Sequence, residues 1–124
     1  MLCATVLFAD FKTVDADTFA ALRDKGYPVI DIRTPAEWKQ TGIIEGAHKM
    51  MFFAPGGEPR TAEWFFQLGR LVRDKSEPIL IYCAHAIRSN ALGKGLQRMG
   101  FKHVYELEGG IENGWIKAGK PTVR

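Results

Sequence analysis

Residues 79–89 read Ile79-Leu80-Ile81-Tyr82-Cys83-Ala84-His85-Ala86-Ile87-Arg88-Ser89, and their order decides how the chain folds. Ile79 to Tyr82 is a short apolar run of the kind that forms a strand buried on both faces. It stops abruptly at a cysteine, and from about Arg88 to Met99 the spacing turns helical. A buried strand that passes through a tight loop into a helix is the repeating unit of a parallel α/β sheet. In such sheets ligands gather beyond the carboxyl ends of the strands, and Cys83 falls there. A helix N-terminus facing that position presents backbone N–H groups, which favour a thiolate and an anion attached to it.

The same alternation extends along the whole chain. Phe11 to Val14 is a short strand candidate, and Asp15 is the N-cap of a helix through Lys25 that puts Phe19 and Leu22 on one face and stops at Gly26. Val29-Ile30-Asp31-Ile32 is a second buried strand. Thr34-Pro35-Ala36-Glu37 joins a capping box to a proline in the first turn, so a short helix runs to about Gln40. Gly42 to Ala47 is turn-like and leads to an extended stretch near His48 to Phe52. After the Pro55–Pro59 loop, Thr61 caps an amphipathic helix expected to reach about Lys75, with Trp64, Phe65, Leu68, Leu71 and Val72 as its core stripe. His103 to Leu107 is the last strand and Ile111 to Ala118 the last helix. Gly93 and Gly95 each weaken the helix after Cys83 by about 1 kcal/mol relative to alanine, unless they permit close packing on the sheet.

Size and composition exclude several classes. At 124 residues the chain makes one domain, read as 11–124, with residues 1–10 as an extension. Leu2 to Ala9 is apolar and reads either as an edge strand or as the remnant of an export signal, so cytoplasmic and exported locations both stand. No run reaches the roughly 18 apolar residues of a membrane span. The 17 Lys and Arg are scattered and nearly matched by 14 Asp and Glu, which argues against nucleic-acid binding. Two cysteines without paired spacing provide neither a zinc site nor a disulfide framework.

The chemistry therefore centres on Cys83. A free cysteine is only a few per cent thiolate at neutral pH, so a nucleophilic one needs its charge stabilised. N–H groups from about Ala84 to Arg88 are placed to converge on the sulfur as an anion nest. Arg88 adds positive charge or braces the loop. His85 either helps an anionic substrate or faces solvent, and Ala86, Ile87 and Ser89 complete the cradle. The alternative for Cys83 is an inert small hydrophobe at a strand end. Asp31 and Arg33 close another strand and read as loop-bracing structure, since a buried Asp needs partners. His48 and His103 read as surface or strand-edge residues, and Cys3 as incidental.

Three separated motifs make the chain resemble the rhodanese family of sulfurtransferases in its single-domain form. They are Val29 to Trp38 with Gly46-Ala47 after it, Tyr82 to Ser89, and Leu107-Glu108-Gly109-Gly110-Ile111 followed by Trp115 and Ala118-Gly119-Lys120-Pro121. The resemblance implies a three-layer α/β fold, a central parallel five-stranded sheet with helices on both faces. It implies a ping-pong reaction in which Cys83 takes a sulfane sulfur from a small sulfur-containing anion such as thiosulfate, becomes a persulfide, and passes it to cyanide, a thiol or a protein acceptor. No cofactor or metal is implied, and a monomer is expected. Four positions depart from the family pattern. Ala84 stands where a basic residue is common, which weakens the case for a doubly anionic donor, and Ala86 stands where glycine is common. Gly42-Ile43-Ile44 replaces a turn histidine, and the spacing from Gly110 to Trp115 is one residue longer. Two alternatives accompany this reading. One is a non-catalytic or sulfur-carrier interaction module. The other is a cysteine phosphatase or arsenate reductase, whose loops place five residues between Cys and Arg where this chain has four, Ala84 to Ile87.

Overall fold

A computed structural model describes residues 10–124, so the reading of Leu2 to Ala9 lies outside the described residues. Five strands, β1 (Asp10–Val14), β2 (Val29–Asp31), β3 (His48–Lys49), β4 (Ile79–Tyr82) and β5 (His103–Leu107), alternate with helices. The helices are α1 (Ala16–Asp24), α2 (Pro35–Thr41), α3 (Thr61–Leu68), α4 (Ile87–Arg98) and a closing π-helix, Ile111–Ile116. All strand pairings are parallel, in the order β1-β5-β4-β2-β3. The chain moves outward from β2 to β3 on one side, and from β4 to β5 on the other. The direction therefore reverses between β2 and β4, and that reversal opens a crevice at their carboxyl ends.

Side-chain alternation along β4 separates two cores. Ile79, Ile81 and Cys83 pack with Trp64, Leu68, Leu92 and Leu96 of α3 and α4. Leu80 and Tyr82 pack on the other face with Phe19 of α1 and with Ile111 and Trp115 of the π-helix. Every residue of β2 and β4 is buried, as continuous apolar runs in a doubly covered sheet require.

Local signals explain most element boundaries. Asp15 caps α1 by accepting from Thr18 N–H, and Thr34 and Glu37 form the reciprocal capping box of α2. Three expectations are corrected. Strand β1 begins at Asp10, one residue earlier than expected. Thr61 is the first helical residue of α3, with Arg60 at the cap position making no side-chain cap bond. That helix ends at Leu68, because Gly69 gives it little helical preference and the chain continues as a turn, with Val72 N–H bonded to Leu68 O. Val72 stays buried all the same.

The C-terminal segment closes as a π-helix over Ile111–Ile116. A π-helix takes more residues per turn than an α-helix, and this one delivers Ile111 and Trp115 to the core. Gly114 is required inside it, since a Cβ there would meet Glu108 O at 1.9 Å. Gly93 in α4 permits a close approach as well: a Cβ would lie 2.1 Å from the Phe11 ring. Gly95 meets nothing closer than an Arg98 nitrogen at 4.0 Å and has no such packing reason.

Candidate active site

Cys83 follows β4 directly, at the carboxyl end of a central strand, and is 1% exposed. Its Sγ accepts the backbone N–H of Ser89 at 3.3 Å and lies 3.5 Å from Ser89 Oγ. Ser89 stands in the first turn of α4, so the sulfur faces the end of the helix that carries unpaired N–H groups and positive dipole. The N–H donor to sulfur is thus one residue beyond the Ala84–Arg88 stretch expected to supply it. The reason is that the chain turns into helix at Ile87, which aims the third helical N–H back at the strand end.

That turn depends on Ala86. Its φ of 70° makes it the one residue other than glycine with positive φ among the described residues. The loop therefore keeps the path for which glycine is suited, and alanine tolerates it at a conformational cost. On the outer side, the loop's carbonyls are taken up by the π-helix: Ile111 N–H donates to Cys83 O at 2.9 Å and Glu112 N–H to Ala84 O at 3.1 Å. Gly110 allows this closeness, for a Cβ there would meet Ala84 O at 2.3 Å.

The polar residues around the loop are nearly all committed. Arg88 makes a bidentate pair with Glu37, both bonds at 2.7 Å. The Arg88 guanidinium holds the Glu37 carboxyl down at about 2, aided by the Thr34 backbone N–H and hydroxyl. Glu37 in turn raises Arg88 above its usual range. Of the two roles expected for Arg88, the structure shows the brace: it ties the first turn of α4 to α2 across the crevice between β4 and β2. His85 sits at the rim, half exposed, with Nε2 3.4 Å from Glu112. Ile87 projects outward at 78% exposure, while Ala84 is buried and Ala86 partly so.

Beneath the loop, Ser89 Oγ donates to Glu106 Oε2 at 2.7 Å, and Glu106 also accepts from Thr13 Oγ1 at 2.8 Å and Asn90 Nδ2 at 3.2 Å. A thiol, a hydroxyl and a carboxylate are therefore connected inside the protein, from Cys83 through Ser89 to Glu106. Three neutral donors satisfy this buried carboxylate, as burial demands.

Asp31 and Arg33 are not part of this group. Both are fully buried and form a bidentate pair, with Arg33 also bonding Thr41 Oγ1 and Gly42 O at 2.8 Å. They tie the end of β2 to the exit of α2, on the Tyr82 side of the sheet. Tyr82 and Cys83 are adjacent and so point to opposite faces. There Tyr82 Oη accepts Ile44 N–H at 3.0 Å, and burial pushes the Tyr82 hydroxyl up.

Two residues escape a reading of the sequence. Glu37 is recognisable as a helix cap, but nothing nearby announces its partner 51 positions later. Glu106 has one visible signal, a carboxylate inside the apolar run His103–Leu107, where an unpaired charge would be costly.

The rhodanese-like domain model matches residues 15–118, which includes every element described above except β1. The chain belongs to the rhodanese-like domain family. Thiosulfate sulfurtransferase GlpE of Pseudomonas entomophila is 30% identical over 104 residues, covering 84% of each protein. A tRNA uridine(34) hydroxylase of Protochlamydia amoebophila is 35% identical over 98 residues, 78% of this chain but 29% of that protein, so the chain spans less than a third of that relative. Among solved structures, the polysulfide-sulfur transferase homodimer of Wolinella succinogenes superposes with a TM-score of 0.68 at 25% identity, covering 91% of this chain and 78% of that one. The five-stranded parallel sheet with helices on both faces is the rhodanese-like α/β fold.

Proposed function

We propose that this rhodanese-like domain is a sulfurtransferase in which Cys83 carries the sulfur. The observation that carries the reading is the seat of Cys83 Sγ, at the end of the central strand and 3.3 Å from the Ser89 N–H in the first turn of α4. A sulfur bearing negative charge is stabilised there by a charge-assisted hydrogen bond and the helix dipole. In the first half-reaction the Cys83 thiolate attacks the outer sulfur of a sulfane donor. A new S–S bond forms, the donor's own bond to that sulfur breaks, and the leaving group departs with the electron pair. With thiosulfate the leaving group is sulfite. In the second half an acceptor thiolate or cyanide attacks the outer sulfur of the Cys83 persulfide and restores the thiolate.

The names of the relatives, thiosulfate sulfurtransferase and polysulfide-sulfur transferase, support the same chemistry. The four-residue interval between Cys83 and Arg88 also favours a single sulfur over a tetrahedral oxyanion, as does the engagement of Arg88 by Glu37. Incubation with a panel of sulfane donors, followed by intact mass measurement and cyanolysis, tests the proposal. One added sulfur, labile to cyanide and lost in Cys83→Ser, is expected. If no donor in the panel adds sulfur to Cys83, the reading fails. Turnover of an aryl phosphate would transfer the protein to the phosphatase class instead.

A further inference from the structure

Glu106 is a buried carboxylate without a part in the two sulfur-transfer steps, and its two oxygens are committed differently. Oε1 accepts from Thr13 Oγ1 of β1 at 2.8 Å and from Asn90 Nδ2 of α4 at 3.2 Å. Oε2 is left to the Ser89 hydroxyl, at 2.7 Å. No cation pairs with Glu106 among the described residues.

Ser89 has one hydroxyl proton and three acceptors within reach: Glu106 Oε2 at 2.7 Å, Ala86 O at 3.2 Å and Cys83 Sγ at 3.5 Å. An ionised carboxylate at the shortest distance holds that proton. Ser89 Oγ then turns only lone pairs towards Cys83, so a thiol S–H donates to it and a thiolate receives nothing from it. Protonation of Glu106 reverses the chain. Oε2–H then donates to Ser89 Oγ, and the hydroxyl proton turns to the sulfur. Oε1, which already receives two donors, keeps both.

Charge supplies the reason for the reversal. Cys83, Ser89 and Glu106 are all buried, and Arg88, the cation whose field reaches Cys83, is tied to Glu37 of α2. His85 and Glu112 face each other at the rim, and Asp31 and Arg33 offset each other on the opposite face of the sheet. The Ser89 N–H and the α4 dipole favour one negative charge at the sulfur. A second charge on Glu106, two hydrogen bonds away, would be buried without a cation.

We infer that Cys83, Ser89 and Glu106 share a single negative charge, and that Glu106 takes up a proton through Ser89 whenever the sulfur becomes anionic. Glu106 is thus a positioning residue, which sets the ionisation of Cys83 without touching donor or acceptor. As the Cys83 thiol passes its proton to Ser89 Oγ, Ser89 passes its own to Glu106 Oε2. The thiolate bonds to the outer sulfur of the donor, whose leaving group departs with the electron pair. When an acceptor removes that sulfur, the proton returns by the same path and Cys83 is again a thiol. The cluster holds one negative charge with and without the added sulfur, and no oxidant or reductant takes part. The loaded half of this cycle rests on the sulfurtransferase reading; the exchange between thiol and thiolate does not.

Glu106→Gln tests the inference in a Cys3→Ser background, which leaves Cys83 as the sole thiol. Glutamine can keep all three partners, with Oε1 accepting from Thr13 and Asn90 and Nε2 donating to Ser89 as the protonated acid would. With the carboxylate charge gone, iodoacetamide should alkylate Cys83 at neutral pH about tenfold or more faster than with Cys3→Ser alone. Infrared difference spectra give the second readout, comparing reduced protein with protein loaded from thiosulfate or inorganic polysulfide. Loading should remove the S–H stretch and add the carbonyl band of a protonated carboxylic acid, a band expected to be missing in Glu106→Gln. A purely structural Glu106 would leave the alkylation rates equal and no acid band on loading, and either result overturns the inference. If neither donor adds sulfur to Cys83, the sulfurtransferase reading fails, and the alkylation ratio still decides the role of Glu106.

Discussion

Replacing Ala86 by glycine should stabilise this protein, although glycine ordinarily weakens a fold. Ala86 sits at φ 70°, ψ −4°, in the left-handed region, and occupies the N-cap of α4. An L-residue with a Cβ pays about 1–2 kcal/mol to adopt that conformation, and glycine adopts it without penalty. Against this gain, glycine loosens the unfolded chain by about 0.4–1 kcal/mol. Alanine is also among the poorest N-cap residues, whereas glycine is tolerated there. The balance favours Ala86→Gly by about 0.5–1 kcal/mol, which for a domain of this size is a rise of roughly 2–5 °C in Tm. Thermal unfolding followed by circular dichroism and by calorimetry measures it, with agreement of the two enthalpies checking two-state behaviour. Ala84→Gly is the control. Ala84 lies in the same loop without a positive φ, so that variant should lose about 0.5–1 kcal/mol. If Ala86→Gly is no more stable than the parent, or if both glycine variants lose stability alike, the argument from backbone conformation is wrong.

Other expectations can be checked with the same instruments. Gly93→Ala should lower stability despite alanine's helical preference. The new Cβ would sit 2.1 Å from the Phe11 ring, and overpacking of about 1–3 kcal/mol exceeds the roughly 1 kcal/mol of propensity gained. Adding Phe11→Leu should recover part of the loss, giving a non-zero coupling in a double-mutant cycle. Asp31→Asn should cost about 3–5 kcal/mol in urea unfolding, because it leaves Arg33 charged and fully buried without its counter-ion. The Glu37 carboxyl is held at about 2 in the folded protein, chiefly by Arg88, against an ordinary value of 4.5. Its contribution to stability is therefore complete above about pH 4.5 and is lost as the pH falls toward 2. Acid titration of Glu37→Gln should accordingly show a shallower fall in stability across that window than the parent. Equal slopes would mean that the pair contributes nothing to folding.

The order of elements was legible in the sequence because it is written in local physics. Buried strands show as apolar runs such as Val29–Ile32 and Ile79–Tyr82, and helix starts show in Asp15 and in the Thr34–Glu37 capping box. The seat of Cys83 followed from the same cues, since a strand end and a helix start only six residues apart leave the thiol little choice of surroundings. Local cues also have limits. Gly69 ended α3 seven residues before the position the apolar stripe implied, and Val72 reached the core from a turn. The helix after Gly110 was visible in the sequence, but its form as a π-helix depends on the core site that Trp115 occupies.

Tertiary structure alone decided the electrostatics of the site. Arg88 and Glu37 are 51 residues apart and meet because β4 and β2 are neighbours in the sheet, a pairing that no local pattern specifies. Their union turns the loop's arginine from a charge available to substrate into a neutral brace. Glu106 reaches Ser89 for the same kind of reason, through the pairing of β5 with β4. Alternation on β4 sends Cys83 and Tyr82 to opposite faces, which places Asp31 and Arg33 in a separate brace. Sequence by itself thus determined that a cysteine waits at the mouth of an α/β sheet. The fold decided which charges reach it, because charge pairing depends on distances in space that only strand order sets.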